Sequence, residues 1–158
     1  MISFNLSSGG RALVPVYLKP FDLVTLNDIL FKVDTGADIT AIDKKDLYLL
    51  GYTHDWIETN ARQDEIRTLS RAGGRHRSAW YVNIPICNFA GRDLINWPFY
   101  IRMEADRNFP NLLGLDVLSN YVFTFNYDKA VVVFEPAANP QIVLPRFEDQ
   151  EISELRGE

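Results

Sequence analysis

The chain has 158 residues, 47% of them hydrophobic, enough for one domain with a real core and too few for two. Its net charge of −5 speaks against a molecule built to bind a polyanion, and its single cysteine rules out an internal disulfide. An aromatic content of 13% with a charged fraction of 23% points to a folded globule and away from disorder.

Residues 1–11 read as a flexible lead-in. Ser7-Ser8-Gly9-Gly10 has no Lys-Ser/Thr after it and is no phosphate loop. Met1-Ile2-Ser3-Phe4-Asn5 lacks a basic segment followed by an apolar run, and no stretch reaches membrane-spanning length. The expectation is a cytoplasmic protein with no signal peptide and no membrane contact. Residues 12–18 alternate as a first strand, with Pro15 marking an edge. Residues 21–26 and 29–33 predict two strands around a turn at Asn27-Asp28. The second leads into Asp34-Thr35-Gly36-Ala37, and 39–42 lead out of it as another strand. A carboxylate, a hydroxyl and a glycine between two apolar runs suit an acid held on a sharp turn inside a sheet. Residues 43–51 predict a short helix, capped by Asp43 and stopped by Gly51.

Residues 52–65 are polar and without period, a loop with a helical turn around 56–62. Strands at 66–70 and 78–84 flank Arg71-Ala72-Gly73-Gly74-Arg75-His76-Arg77, a hairpin with a glycine tip. A second pair, 84–89 and 94–102, surrounds Ala90-Gly91-Arg92-Asp93. Cys87 lies in an apolar strand and reads as a buried structural thiol. Asn111-Leu112-Leu113-Gly114 precedes a brief helix at 115–120, in which Asp116 reads as a cap or a buried structural acid. A last hairpin joins 122–127 to 130–134 at Asp128-Lys129. Residues 137–158 form a tail or a dimer arm, which leaves 12–136 as the domain. About ten short strands with two small helices predict an all-β, closed, barrel-like fold.

Asp34-Thr35-Gly36-Ala37 and Leu112-Leu113-Gly114 together resemble the retropepsin-like aspartic protease family, over residues 13–135, most of the chain. The resemblance is closer to the cellular and bacterial single-domain relatives than to the retroviral enzymes. It implies a small β-barrel with a flap hairpin, active as a homodimer on extended peptides, with no cofactor and no metal. Peptide hydrolysis by carboxylates needs two acids sharing a proton, and the chain has one Asp-Thr-Gly, so the second acid would come from a second copy.

By that resemblance Asp34 is the catalytic acid, Thr35 bonds across the dimer, and Gly36 lets the two loops touch. Ala37 and Asp38 would line the peptide, Ala72, Gly73 and Gly74 would close over it, and Leu112, Leu113 and Gly114 would pack behind Asp34. The chain departs from the retroviral pattern at Leu115, where those enzymes carry an arginine that pairs with the acid at position 38, and in its arginine-rich flap. That departure motivates the alternative of a catalytically weak or inactive peptide-binding or assembly module. Nucleic-acid binding through Arg71, Arg75 and Arg77 is a weaker idea that the negative net charge opposes. His54 and His76 lie apart, without metal-ligand spacing. Trp56, Trp80 and Trp97 read as core or cleft wall.

Overall fold

The computed structural model describes residues 1–21, 25–65, 78–102 and 110–139. Within them the chain forms, in order, β1 (Ile2–Asn5), β2 (Leu13–Leu18), β3 (Asn27–Val33), β4 (Ala41–Asp43), α1 (Lys44–Leu49), α2 (His54–Asn60), β5 (Arg62–Glu65), β6 (Ser78–Phe89), β7 (Arg92–Arg102), β8 (Asn111–Leu113), α3 (Leu115–Leu118), β9 (Tyr121–Asn126) and β10 (Val131–Pro136). Six strands close a ring in the order β2-β3-β8-β4-β7-β6, and β6 returns to β2 through Tyr17↔Asn88 and Leu18↔Cys87. The long β6 serves two partners: its first residues carry β5, and its last residues shut the barrel. The expected all-β barrel with short helices is therefore present, with a second, smaller sheet of order β1-β10-β9 beside it.

Strand alternation builds the core. In β2, Val14, Val16 and Leu18 point inward, and in β3 Phe31 and Val33 do so, with Lys32 between them only half-buried. Phe4, Phe89, Tyr121 and Phe134 interlock edge-on or stacked at centroid distances of 5.0–6.1 Å and weld the small sheet to the barrel. The β6–β7 hairpin turns at Ala90 and Gly91, both at positive φ (47° and 76°), the backbone that a two-residue hairpin matched to strand twist requires.

The structure corrects four expectations. Residues 2–5 are not part of a flexible lead-in but form β1, paired from Ile2↔Phe134 to Asn5↔Val131. Asn27 and Asp28 do not turn the chain; the ladder with β2 runs on to Leu18↔Asn27 and holds both in strand. Residues 52–65 contain a true helix, α2, whose N-cap Thr53 accepts from Trp56 N, and a strand, β5. Residues 78–89 are one continuous strand, not two. Pro15 faces β3 on one side, and β6 joins β2 only from Tyr17 onward, so its edge reading holds locally. The strands expected at 21–26 and 66–70 lie largely or wholly outside the described residues.

Candidate active site

The site is dictated by one topological fact. β3 and β4 are consecutive in sequence yet are not neighbours; β8 lies between them, parallel to β3 (Val33↔Leu113) and antiparallel to β4 (Ala41↔Leu112). The loop from Asp34 to Thr40 must therefore cross the end of β8. It crosses at Gly114, where an added Cβ would lie 2.6 Å from Ile39 C and 2.8 Å from its N and O. Two backbones touch there, and only glycine fits.

Crossing fixes the loop from behind. Asp34 N donates to Leu113 O (3.1 Å), Leu115 N to Ala37 O (2.8 Å), and Asp116 N to Asp38 O (3.2 Å). Inside the loop, Ala37 N donates to Asp34 O (3.2 Å) and Gly36 N to Asp34 Oδ1 (2.9 Å). A Cβ at Gly36 would crowd that same oxygen at 3.2 Å. The carboxylate is thus aimed by its own loop. Asp34 and Ala37 are half-buried, and Thr35, Gly36 and Asp38 are exposed.

Beneath the loop lies a buried polar cluster. Asp116, 3% exposed, accepts on Oδ1 from Thr40 N (3.0 Å), Thr40 Oγ1 (2.7 Å) and Val117 N (2.9 Å). Thr40 Oγ1 in turn accepts from Gly114 N (3.1 Å). Burial pushes the Asp116 carboxyl above its ordinary range, against the hydrogen bonds from Thr40 and Val117 that pull it down. On the other flank Asn111 Oδ1 accepts from Asp43 N (2.7 Å), and its Nδ2 donates to Asp46 Oδ2 (2.7 Å), locking β8 to the start of α1.

Outside the barrel wall, Tyr81, Tyr100, Ala41 and Leu112 stand in register across β6, β7, β4 and β8, an apolar row that reaches Ile39 of the loop. Leu112 belongs to this row, whereas Leu113 belongs to the main core. The strip joins the acid's loop to the base of the β5–β6 pair, whose intervening residues include Ala72, Gly73 and Gly74, outside the described residues.

The motif residues 34–38 and 112–114 thus come together around one crossing. Leu115 stands where the retroviral pattern has an arginine, and its backbone N–H meets the loop at Ala37 O. Thr40 was not singled out from sequence. Its signal was a hydroxyl in the apolar run Ile39-Thr40-Ala41-Ile42, on the same strand face as buried Ile42, where it must find a partner. Cys87 is fully buried, and its thiol is pushed up to about 12, mainly by burial. Trp97 is buried, and Trp56 and Trp80 pack half-buried on the core. Among the described residues no three His, Cys, Asp or Glu side chains converge as a metal site, and His54 pairs with Glu58 at 3.0 Å. No helix among them is long and apolar enough to cross a membrane.

No family model matches the chain, and no curated protein matches it significantly. Among solved structures it is similar to a retropepsin-like aspartic protease from Rickettsia conorii, with a TM-score of 0.58 and 19% identity, covering 84% of this chain and 88% of that one. The EIAV protease in complex with the inhibitor HBY-793 aligns at a TM-score of 0.45 and 18% identity, over 68% of this chain and 85% of that one. The retroviral protease-like domain of Ddi1 from Leishmania major aligns at 0.44 and 20%, over 82% and 97%. The first of these likenesses shows the fold, a retropepsin-like barrel.

Proposed function

We propose that this chain is an aspartic endopeptidase that works as a homodimer, with one Asp34 from each copy forming the catalytic pair. The observation that carries the reading is the Asp34 carboxylate itself. It is half-exposed, aimed by Gly36 N, and set on a loop braced from behind at Leu113, Leu115 and Asp116. The chain holds one Asp-Thr-Gly, so a pair of such acids requires two chains about a two-fold axis.

In this reading one Asp34 is ionised and takes a proton from water, whose oxygen attacks the scissile carbonyl carbon. The partner Asp34, protonated, gives its proton to the carbonyl oxygen. Collapse of the tetrahedral intermediate then breaks the C–N bond as the leaving nitrogen is protonated. Two carboxylates this close cannot both ionise cheaply, so they titrate as a unit. Thr35 and Gly36, exposed in the single chain, are the surfaces through which the two loops would meet. Ala37 and Asp38 would lie along an extended peptide, with Ala72, Gly73 and Gly74 closing over it and excluding water. Leu112, Leu113 and Gly114 support the loop. A cytoplasmic setting suits the lone, inert Cys87 thiol.

The test is cleavage of a proteome-derived peptide mixture by wild type and Asp34→Asn between about pH 4 and pH 7, where such pairs can share a proton. Cuts that vanish in the variant and rise more steeply than linearly with protein concentration are expected. Equal cleavage by the variant would rule the reading out. Peptide binding without cleavage by either protein would favour a binding module.

A further inference from the structure

Asp116 does no chemistry in the mechanism above, yet it is a buried carboxylate directly beneath the acidic loop. We propose that Asp116 is a positioning residue for Asp34: its carboxylate ties Thr40, at the far end of the acidic loop, to the glycine crossing, and that tie weakens when it is protonated. The inference extends the protease reading, but its central observable does not need catalysis.

Donor and acceptor roles fix the direction of every bond in the cluster. Thr40 has one hydroxyl proton. Its Oγ1 already accepts from Gly114 N (3.1 Å), so its proton goes to Asp116 Oδ1 (2.7 Å). Oδ1 also accepts from Thr40 N and Val117 N and has no room for a proton of its own. A proton added to this carboxyl must therefore sit on Oδ2. That oxygen is buried without a hydrogen bond, and so is Trp97 Nε1, the indole donor from β7 that influences its titration. With Asp116 ionised, the bonds that Oδ1 accepts from Thr40 and Val117 are charge-assisted. With a proton on Oδ2, Oδ1 is a neutral carbonyl oxygen, and the bonds that it accepts weaken.

The surroundings make this carboxyl sensitive. Among the described residues, burial raises its titration, and neutral donors on the loop and α3 oppose that shift. Cys87 on β6 is the titratable group whose own ionisation feels Asp116, and burial keeps that thiol neutral. Asp116 N also donates to Asp38 O, so movement of this residue reaches the loop by backbone as well as by side chain.

The experiment is a pH titration of the full chain by amide and indole NMR, in wild type, Asp116→Asn and Thr40→Val, alongside kcat and KM. In wild type the Trp97 indole and Gly114 amide signals should move together with one midpoint, above the ordinary carboxylate range. That transition should be absent from Asp116→Asn. The wild-type kcat profile should carry the same midpoint, missing in the variant. Thr40→Val, which keeps shape and loses the link, should lower kcat on the order of ten- to a hundredfold with KM little changed. Indole and Gly114 signals that stay still while the protein remains folded would overturn the proposal, as would an Asp116→Asn kcat profile identical to wild type. A shared titration in a protein that cleaves nothing would support the tie and count against the protease reading alone.

Discussion

The loop from Asp34 to Thr40 has two ends that differ in almost every physical respect. The outer end presents exposed Thr35, Gly36 and Asp38 and a half-buried Asp34, with Gly36 N on its carboxylate. The inner end is buried: Thr40 is fully enclosed, bonded to Asp116 and Gly114, and the Ile39 backbone rests against Gly114. Open polar groups are free to meet a second molecule, whereas enclosed ones must satisfy each other. The contrast divides the motif into an open part, which the proposed chemistry uses, and an enclosed part that holds it.

The sharpest way to break that division is Asp34→Asn. Asn keeps an oxygen for Gly36 N, so stability should stay within about 0.5 kcal/mol of wild type. Cleavage should fall on the order of 10²–10⁴-fold, the usual contribution of general acid–base catalysis. Peptide turnover and urea denaturation on the same preparations check both halves. A large stability loss would show that Asp34 holds as well as acts.

Gly114→Ala probes the other end. A methyl group meeting Ile39 backbone at 2.6–2.8 Å cannot be relieved by a rotamer change, so the crossing strands must part. A cost of about 1–3 kcal/mol or more is expected, read from the denaturant midpoint. A midpoint equal to wild type would contradict the tight crossing.

Asp116 sharpens the comparison through pH. Its native carboxyl is raised by burial, so the folded chain holds that proton more tightly than the unfolded chain does. Between the ordinary and the raised value the native state binds more protons, and this group's contribution to stability falls as pH rises. Unfolding measured across that window should therefore decline more steeply with pH in wild type than in Asp116→Asn. Parallel curves would show that Asp116 has an ordinary titration. The smallest effect belongs to a distant site: Thr53→Ala removes the α2 cap and should cost about 1 kcal/mol with cleavage unchanged.

Sequence showed the two local motifs of the site more clearly than the buried link that joins them. Asp34-Thr35-Gly36 and Leu112-Leu113-Gly114 are local patterns of unusual residue types, and α1 declares itself through Asp43, whose side chain accepts from Lys45 N, and through Gly51 at φ 88°. Thr40 and Asp116 are 76 positions apart, and nothing local in either says that they bond. Asn111 is likewise locked to Asp43 and Asp46 across the fold.

The missed elements share a cause. β1 has four residues, none of them fully buried, and exists through its ladder with β10 at the other end of the chain. α2 buries only Ile57, too little to give a helical period, so Thr53 was its one legible signal. Asn27 and Asp28 are turn-forming types held extended by Leu18 and Tyr17, a tertiary override of local preference.

In the proposed dimer, one Asp34 is half a site. The most direct test holds wild type at a fixed, active concentration and adds increasing Asp34→Asn chain. If the catalytic pair is shared, mixed dimers carry a single competent acid, and cleavage should fall steadily toward zero as the variant comes into excess. Cleavage that stays constant however much variant is added, while mixed dimers demonstrably form, would contradict a shared pair.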